Sequence, residues 1–350
     1  MGPGPSGAVP APHSRDKRSR RFHLIIDTFH PRRQGRCSTL ETRITDPTLD
    51  PKLYRPLGSE ERDAEAIARP SVSYWKDVWM RYKKDPLAVF GMVVIVLMTL
   101  LAIFGPMLSP YGYAQQDYTA MNQGPSLQHL CGTDKFGRDI FTRILYGARI
   151  SLSIGFVTAF INMIIGVLYG GIAGYLGGKV DMIMMRIVDI IIALPSLLYI
   201  ILIMMFLGSN MKSIIIALCI SSWVGTARVV RSQVVSLKHQ EYVLAGQLAG
   251  ANNWQLLIRH LIPNSMGPII VTVTFLIPSA IFSEAFLSFL GIGIQVPMAS
   301  WGSLANDAIP MLRSQPYQMI FPVLAISVTM FALNFIGDGL RDALDPKLKK

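Results

Sequence analysis

Glu284 lies inside the apolar run Phe282–Leu290. A carboxylate in hydrocarbon is costly, so it marks by default either a translocation path or a polar contact to a neighbour. No opposite charge stands near it in sequence. Asp189 differs, because Arg186 is three residues earlier and the two can pair on one helix face. Nothing in the chain reads as a nucleotide site. A P-loop needs Gly, four residues, then Gly-Lys-Ser/Thr, so that backbone amides cradle phosphate. The nearest text, Gly177-Gly178-Lys179-Val180, has Ala173 in place of the earlier Gly and lacks the hydroxyl. No paired carboxylates, nucleophile–base motif or metal cluster stands out, so neither enzymatic activity nor a cofactor is expected. If ATP drives this protein, another chain must hydrolyse it. Cys37, Cys131 and Cys219 form neither a zinc spacing nor a disulfide framework. His129, His239 and His260 read as polar loop residues.

The elements that position these groups are apolar blocks. The 350 residues are 51% hydrophobic and only 16% charged, whereas soluble domains carry about a quarter charged residues. Six spans are expected, near 87–108, 151–175, 187–208, 213–230, 265–290 and 319–338, each close to the ~20 residues a bilayer requires. An even number puts both termini on one side. The net charge of +11 is read as cytoplasmic Lys and Arg orienting the spans, not as a nucleic-acid surface. Residues 1–69 hold Arg clusters without an apolar face and are expected to be a disordered, basic cytoplasmic tail. Residues 70–86, with Tyr74, Trp75, Lys76, Tyr82, Lys83 and Lys84, read as an amphipathic helix on membrane lipid. The first span and an outer loop fill 87–148, the remaining spans 149–346, and a short cytoplasmic tail 347–350.

Within the second span Gly166, Gly170, Gly174 and Gly178 recur every fourth residue, a ridge that admits another helix closely. Pro195 and Pro278 interrupt the third and fifth spans and mark either kinks or a midplane substrate site. Between the fourth and fifth spans lies Glu241–Asn264, too polar to cross a bilayer. Tyr242, Leu244 or Ala245, Leu248 and Ala249 recur at roughly helical spacing. Gly250 is a plausible stop. A second helix, Trp254–Leu261, is expected to end at Pro263, with Asn264 capping the next span. Such a hook is either an interfacial hairpin or something that docks to a partner.

Two further stretches have specific spacing. Gly132-Thr133-Asp134-Lys135-Phe136-Gly137-Arg138-Asp139 precedes the second span, and Pro297-Met298-Ala299-Ser300-Trp301-Gly302 follows the fifth. From the residues alone, the first is a solvent-exposed turn leading to an interfacial helix. Gly132 and Gly137 allow tight geometry there, and Asp134 or Asp139 can cap. Together with Asn334-Phe335-Ile336-Gly337-Asp338-Gly339-Leu340-Arg341-Asp342-Ala343-Leu344-Asp345-Pro346, these loops resemble the C-type permease subunit of dipeptide, oligopeptide and nickel ABC importers. The hook resembles that family's coupling loop, which reads Glu-Ala-Ala, three residues, Gly. Here Leu244-Ala245-Gly246 holds the Glu-Ala-Ala place, Gly250 has the right offset, and Ile262-Pro263 closes the loop. The acidic residue is replaced by Leu244, which puts a charge-pair account of coupling in doubt.

The resemblance covers about residues 70–346. It implies an all-α polytopic membrane protein with six transmembrane helices and a cytoplasmic coupling helix, placed multi-pass in the cell membrane. It implies four kinds of partner: membrane lipid, a B-type permease subunit, two ABC ATPase subunits and an extracytoplasmic peptide-binding protein. Glu241, Tyr242, Leu244, Ala245, Gly246, Gly250, Ala251 and Pro263 would form the ATPase-coupling loop. Gly132, Thr133, Asp134, Gly137, Arg138, Asp139 and Trp301 would shape the outer mouth, and Glu284 would border the path. Three other readings remain beside it. A nickel or other small-solute permease would share the same motifs. A stand-alone secondary carrier would rest on Pro195, Pro278 and Glu284, and a membrane anchor or sensor on the long basic tail.

Overall fold

The computed structural model describes residues 73–345. The tails expected over 1–69 and 347–350 lie outside the described residues. Among the described residues the chain is helical, apart from one isolated bridge between Thr133 and Asp139.

Helix α1, Tyr74–Tyr82, buries Val78 and Tyr82 and exposes Tyr74, Trp75 and Trp79. Its Asp77 pairs with Arg81 one turn on. The Tyr82 hydroxyl donates to the Ala88 carbonyl at 2.9 Å, which fixes α1 to the next helix. That helix, α2 (Pro86–Leu108), starts with Asp85 accepting from the Leu87 N–H at 2.9 Å and Pro86 in the first turn. Pro106, inside α2, has no N–H for the Ala102 carbonyl. Arg149 supplies the missing donor: Nε reaches Ala102 O at 3.2 Å and Nη2 reaches Ile103 O at 2.9 Å.

Helix α3, Ile140–Leu176, has 37 residues and is ~55 Å long. It begins eleven residues before the expected span, and the boundary expected at 148/149 falls inside it. The early start has a clear cause, since Asp139 caps the Thr142 N–H at 2.7 Å. Gly166, Gly170 and Gly174 of α3 meet α7 (Trp223–Leu237) almost backbone to backbone. A Cβ on Gly166 would lie 2.6 Å from Thr226 Cβ, and one on Gly174 would lie 2.8 Å from Arg231 O; on Gly170 it would overlap the Ala227 carbonyl. Gly178 is not part of this ridge. The chain turns at Gly177 (φ 66°), and Gly178 opens α4, where a Cβ would meet nothing within 4 Å.

The third span is broken into α4 (Gly178–Ala193) and α5 (Ser196–Leu207), bent by 83° at Leu194-Pro195. The fourth is α6 (Met211–Ser221) running into α7. The fifth is Met266–Phe289, and the sixth is Tyr317–Leu344. Among the described residues, five helical segments are long and apolar enough to cross a membrane, and the bent pair brings the number to six if it counts as one span. Asp189 does not pair with Arg186. It meets Arg228 of α7 at 2.6 Å, while Asp181 takes Arg231 at 3.0 Å, because α7 lies across α4 and brings its cations to those carboxylates. Asp189 and Arg228 are about half exposed, so that pair contributes at most about 1 kcal/mol.

At the opposite end from Glu241–Asn264, the loop before α3 folds into a buried cap. Asp134 accepts from the Phe136 and Arg138 N–H groups at 2.8 and 3.0 Å and from Arg138 Nε at 2.6 Å. Arg138 and Arg143 both reach Asp307, at 3.4 and 3.5 Å. Asp139 also bonds His129 Nδ1 at 2.9 Å. The expected solvent-exposed turn is therefore corrected: Thr133, Asp134, Arg138, Asp139 and Arg143 are all buried, and so is His129, which is no open loop residue. Charges survive here because each is paired or hydrogen-bonded. Burial first, and the Asp139 charge second, push the Cys131 thiol beside this cap up to about 11.

Two outcomes are expected. Gly170→Ala should destabilise the detergent-solubilised chain by ~1–3 kcal/mol, whereas Gly225→Ala, which points into open space on the same helix pair, should be neutral; equal thermal midpoints would refute the backbone approach. In a Cys37→Ser, Cys219→Ser background, Cys131 should resist maleimide at neutral pH, because a raised pKa leaves the neutral thiol, and react only as pH approaches 11. Asp307→Ala, which strips the cap of its bridging carboxylate, should speed labelling at least tenfold.

Candidate coupling surface and the buried carboxylate

Helix α8, Glu241–Leu248, is anchored by one side chain. Val243 is fully buried against Val230 and Val234 of α7 and against Leu256, Leu257, Leu261 and Ile269. The apolar residues whose spacing marks the helix face the other way. Glu241, Leu244, Ala245 and Leu248 fall at i, i+3, i+4 and i+7 on one face, and all are exposed, Leu248 to 91%. Tyr242 is also exposed at the edge of this face. Val243 escapes sequence reading because it is flanked by equally apolar residues.

Gly246 lets the hook close, since a Cβ there would lie 3.0 Å from Leu256 Cδ2. Small size, not helix propensity, is what the site asks of that position. Gly250, at φ 86°, ends α8 in the left-handed region. Its N–H bonds Gln247 O at 3.0 Å, and the Ala251 N–H bonds Gly246 O at 3.1 Å, the paired pattern of a Schellman cap. Asn252 and Gln255 then form a reciprocal capping box for the next turn, α9 (Asn253–Leu256), at 2.8 and 3.0 Å.

Beyond α9 the expectation at Pro263 is corrected. Helical structure continues through a wide five-residue turn, Leu257–Leu261, and on through Ile262–Asn264. In that turn the Ile262 N–H reaches back five residues to Leu257 O, which opens the helix where the proline ring would otherwise strike the preceding turn. The direction changes at Ser265, whose hydroxyl bonds Leu261 O at 2.7 Å. Asn264 does not cap the next span; its amide donates to His260 O at 2.6 Å. Pro263 itself is exposed, and Ala251 is half-buried. The hook leads into α10 (Met266–Phe289), the fifth span.

Glu284 of α10 has no exposed surface. Its two oxygens accept from Ser151 of α3 and from Ser288, one turn along α10, each at 2.8 Å. Ser300, which caps α11 (Trp301–Ala308), also lies beside the carboxylate. Ser288, four residues on, is the partner that helical spacing could have revealed. Trp301 is wholly buried, and its Nε1 donates to Ile144 O at 3.0 Å. Among the residues expected at an outer mouth, Gly132, Thr133, Asp134, Gly137, Arg138 and Asp139 are gathered into the cap beneath α11 and α12 (Tyr317–Leu344). There Gln318 of α12 bonds the Thr133 carbonyl at 3.1 Å. A Cβ at Gly137 would overlap the Asp117 carbonyl.

Residues 166–350 match the family described as binding-protein-dependent transport system inner membrane component, and residues 73–125 match the N-terminal TM domain of oligopeptide transport permease C. The dipeptide transport system permease protein DppC of Bacillus subtilis is 49% identical over 83% of this chain and 91% of its own length. The oligopeptide transport system permease protein OppC of the same organism is 49% identical over 85% and 98%. OppC of Escherichia coli is 42% identical over 82% and 96%. A solved methionine ABC transporter in inward-facing form has 18% identity and a TM-score of 0.46 over 58% of this chain and 96% of that one, too little to argue from. The sequence relatives leave no place for a stand-alone secondary carrier or a sensor. The chain belongs to the binding-protein-dependent transport system inner membrane components, and it is the multi-pass permease subunit of an ABC importer, served by separate ATPases and a substrate-binding protein.

Proposed function

We propose that this chain is one of two different permease subunits of a peptide importer and forms half of its translocation path. The DppC and OppC relatives named above support dipeptides or oligopeptides as the substrate class. The expected companion is a B-type permease. Both termini and Glu241–Asn264 lie in the cytoplasm on this reading, in line with Arg228, Arg231, Lys238 and Arg259 near that end.

The observation that carries the coupling role is the outward apolar face of α8, held on a rigid base. Leu244 and Leu248 are offered to a partner while Val243 locks the helix to α7 and to the start of α10. An ATPase groove that takes this face would move α8 when the ATPase pair closes on ATP. The motion passes to the fourth and fifth spans through the same packed side chains. With Leu244 in the family's acidic place, the contact is apolar, and its strength comes from buried area. The outer cap, with Arg138 and Arg143 on Asp307, supports the mouth that receives substrate from the binding protein, and Glu284 ties two spans beneath it.

Gentle-detergent purification of the native assembly should return a second six-span permease and two P-loop proteins, identified by mass spectrometry. Leu248→Asp should cut ATPase recovery about tenfold without changing the amount of inserted permease, because this side chain is almost wholly exposed. Gly250→Arg should reduce peptide uptake at least tenfold with normal insertion, since a side chain at φ 86° is strained by ~1–2 kcal/mol and the cap that aims α8 is lost. Normal uptake by Gly250→Arg would overturn the coupling role.

A further inference from the structure

At the end of the bundle that carries the coupling hook, α1 does not pack flush on its neighbours. It leaves a slot of about 210 Å³ walled by Trp75 and Trp79 of α1, Met92 of α2, Ile270 of α10, and Leu340 and Leu344 of α12. The lining is apolar. Trp75 and Trp79 stand at its mouth, 54% and 45% exposed, where indoles favour the boundary between headgroups and acyl chains. The slot thus opens sideways onto the layer that bathes the spans.

The mouth also carries unspent positive charge. Between Tyr74 and Asp85 there are four basic residues, Lys76, Arg81, Lys83 and Lys84, against Asp77 and Asp85. Asp77 is taken by Arg81, and Asp85 caps α2 through the Leu87 N–H. Lys83 lies 4.9 Å from the centre of the Trp79 ring, directly on the slot wall. Among the described residues, Lys83 and Lys84 make no ion pair.

We propose that this slot binds one anionic phospholipid, its acyl chain between α1, α10 and α12 and its phosphate on Lys83 and Lys84. An apolar cleft alone would take any lipid in the bilayer. The Lys83 ammonium on its wall, with Lys84 next to it in sequence, selects a negative headgroup, because a zwitterionic lipid brings its own cation to the same place. The site also gives α1 a use beyond anchoring: a lipid held there bridges α1 to the first turns of α10, directly after the coupling hook.

The test reads lipid contact and is independent of transport. The full chain is purified with Trp254→Phe, so that quenchable emission comes from Trp75 and Trp79; Trp223 and Trp301 are buried, at 8% and 0% exposure. Brominated phosphatidylglycerol should quench this emission at least threefold more strongly than brominated phosphatidylcholine at equal mole fraction in mixed micelles. The double variant Lys83→Glu, Lys84→Glu should erase the preference. Leu340→Phe, which fills the slot but keeps the lysines, should weaken quenching by phosphatidylglycerol, with circular dichroism showing that both variants remain folded. Equal quenching by the two lipids would overturn the site. So would absence of quenching by either, or an unchanged preference in the double variant.

Discussion

The close approach of α3 and α7 is the constraint on which the other packing depends. Three glycines at four-residue spacing let the two backbones meet, and no side chain larger than hydrogen fits at Gly170. In a bilayer there is little hydrophobic force between helices, so close packing has to supply the attraction. Helix α3 also packs on α2, α10 and α11, which makes it the post around which the bundle stands. Helix α7 leads straight into α8. The place of α8 is therefore set by a glycine ridge inside the membrane bundle, through Val230, Val234 and Val243.

Polar groups are then distributed so that the costliest of them do not face hydrocarbon alone. Where Pro106 deprives Ala102 of its donor, Arg149 supplies one. Where Glu284 is enclosed, serines from α3, from its own helix and from the α11 cap surround it. Helix α11 is held near its end at Asp307 by Arg138 and Arg143, and its cap residue Ser300 lies beside Glu284. Loss of one partner in such a buried cluster costs ~3–5 kcal/mol, which makes the cap before α3 a firm lid on the bundle. The end that carries α8 is built differently. It exposes apolar surface and relies on caps at Gly250 and Asn252 to hold its shape, as suits a surface completed by another chain.

Much of this is legible in the sequence. Hydropathy locates the spans, the four-residue glycine period locates the ridge, and Gly250 marks the end of α8. What stays hidden depends on distant residues. Arg186 looks like the partner of Asp189 because a single helix shows only its own neighbours; Arg228, 39 residues away, is the one that arrives. The polar text from Thr133 to Arg143 suggests solvent, since its partner Asp307 stands 169 residues from Arg138. The same polar residues conceal the true start of α3. Pro263 suggests a stop because a proline breaks a regular helix, and the wide turn that absorbs it has no sequence signature. The family resemblance singles out these loops but not their exposure: the run Gly132–Asp139 is interior, and the outward face of α8 is bare.

The central claim is that the bare face of α8 rests on an ATPase. The most direct measurement places a photo-crosslinking amino acid at Leu248 in the native assembly and identifies the cross-linked chain by mass spectrometry, with and without ATP. The account predicts one dominant adduct, to a P-loop protein, with a yield that changes on ATP binding. Adducts to lipid or to the partner permease, from an assembly whose ATPases are demonstrably present, would contradict it.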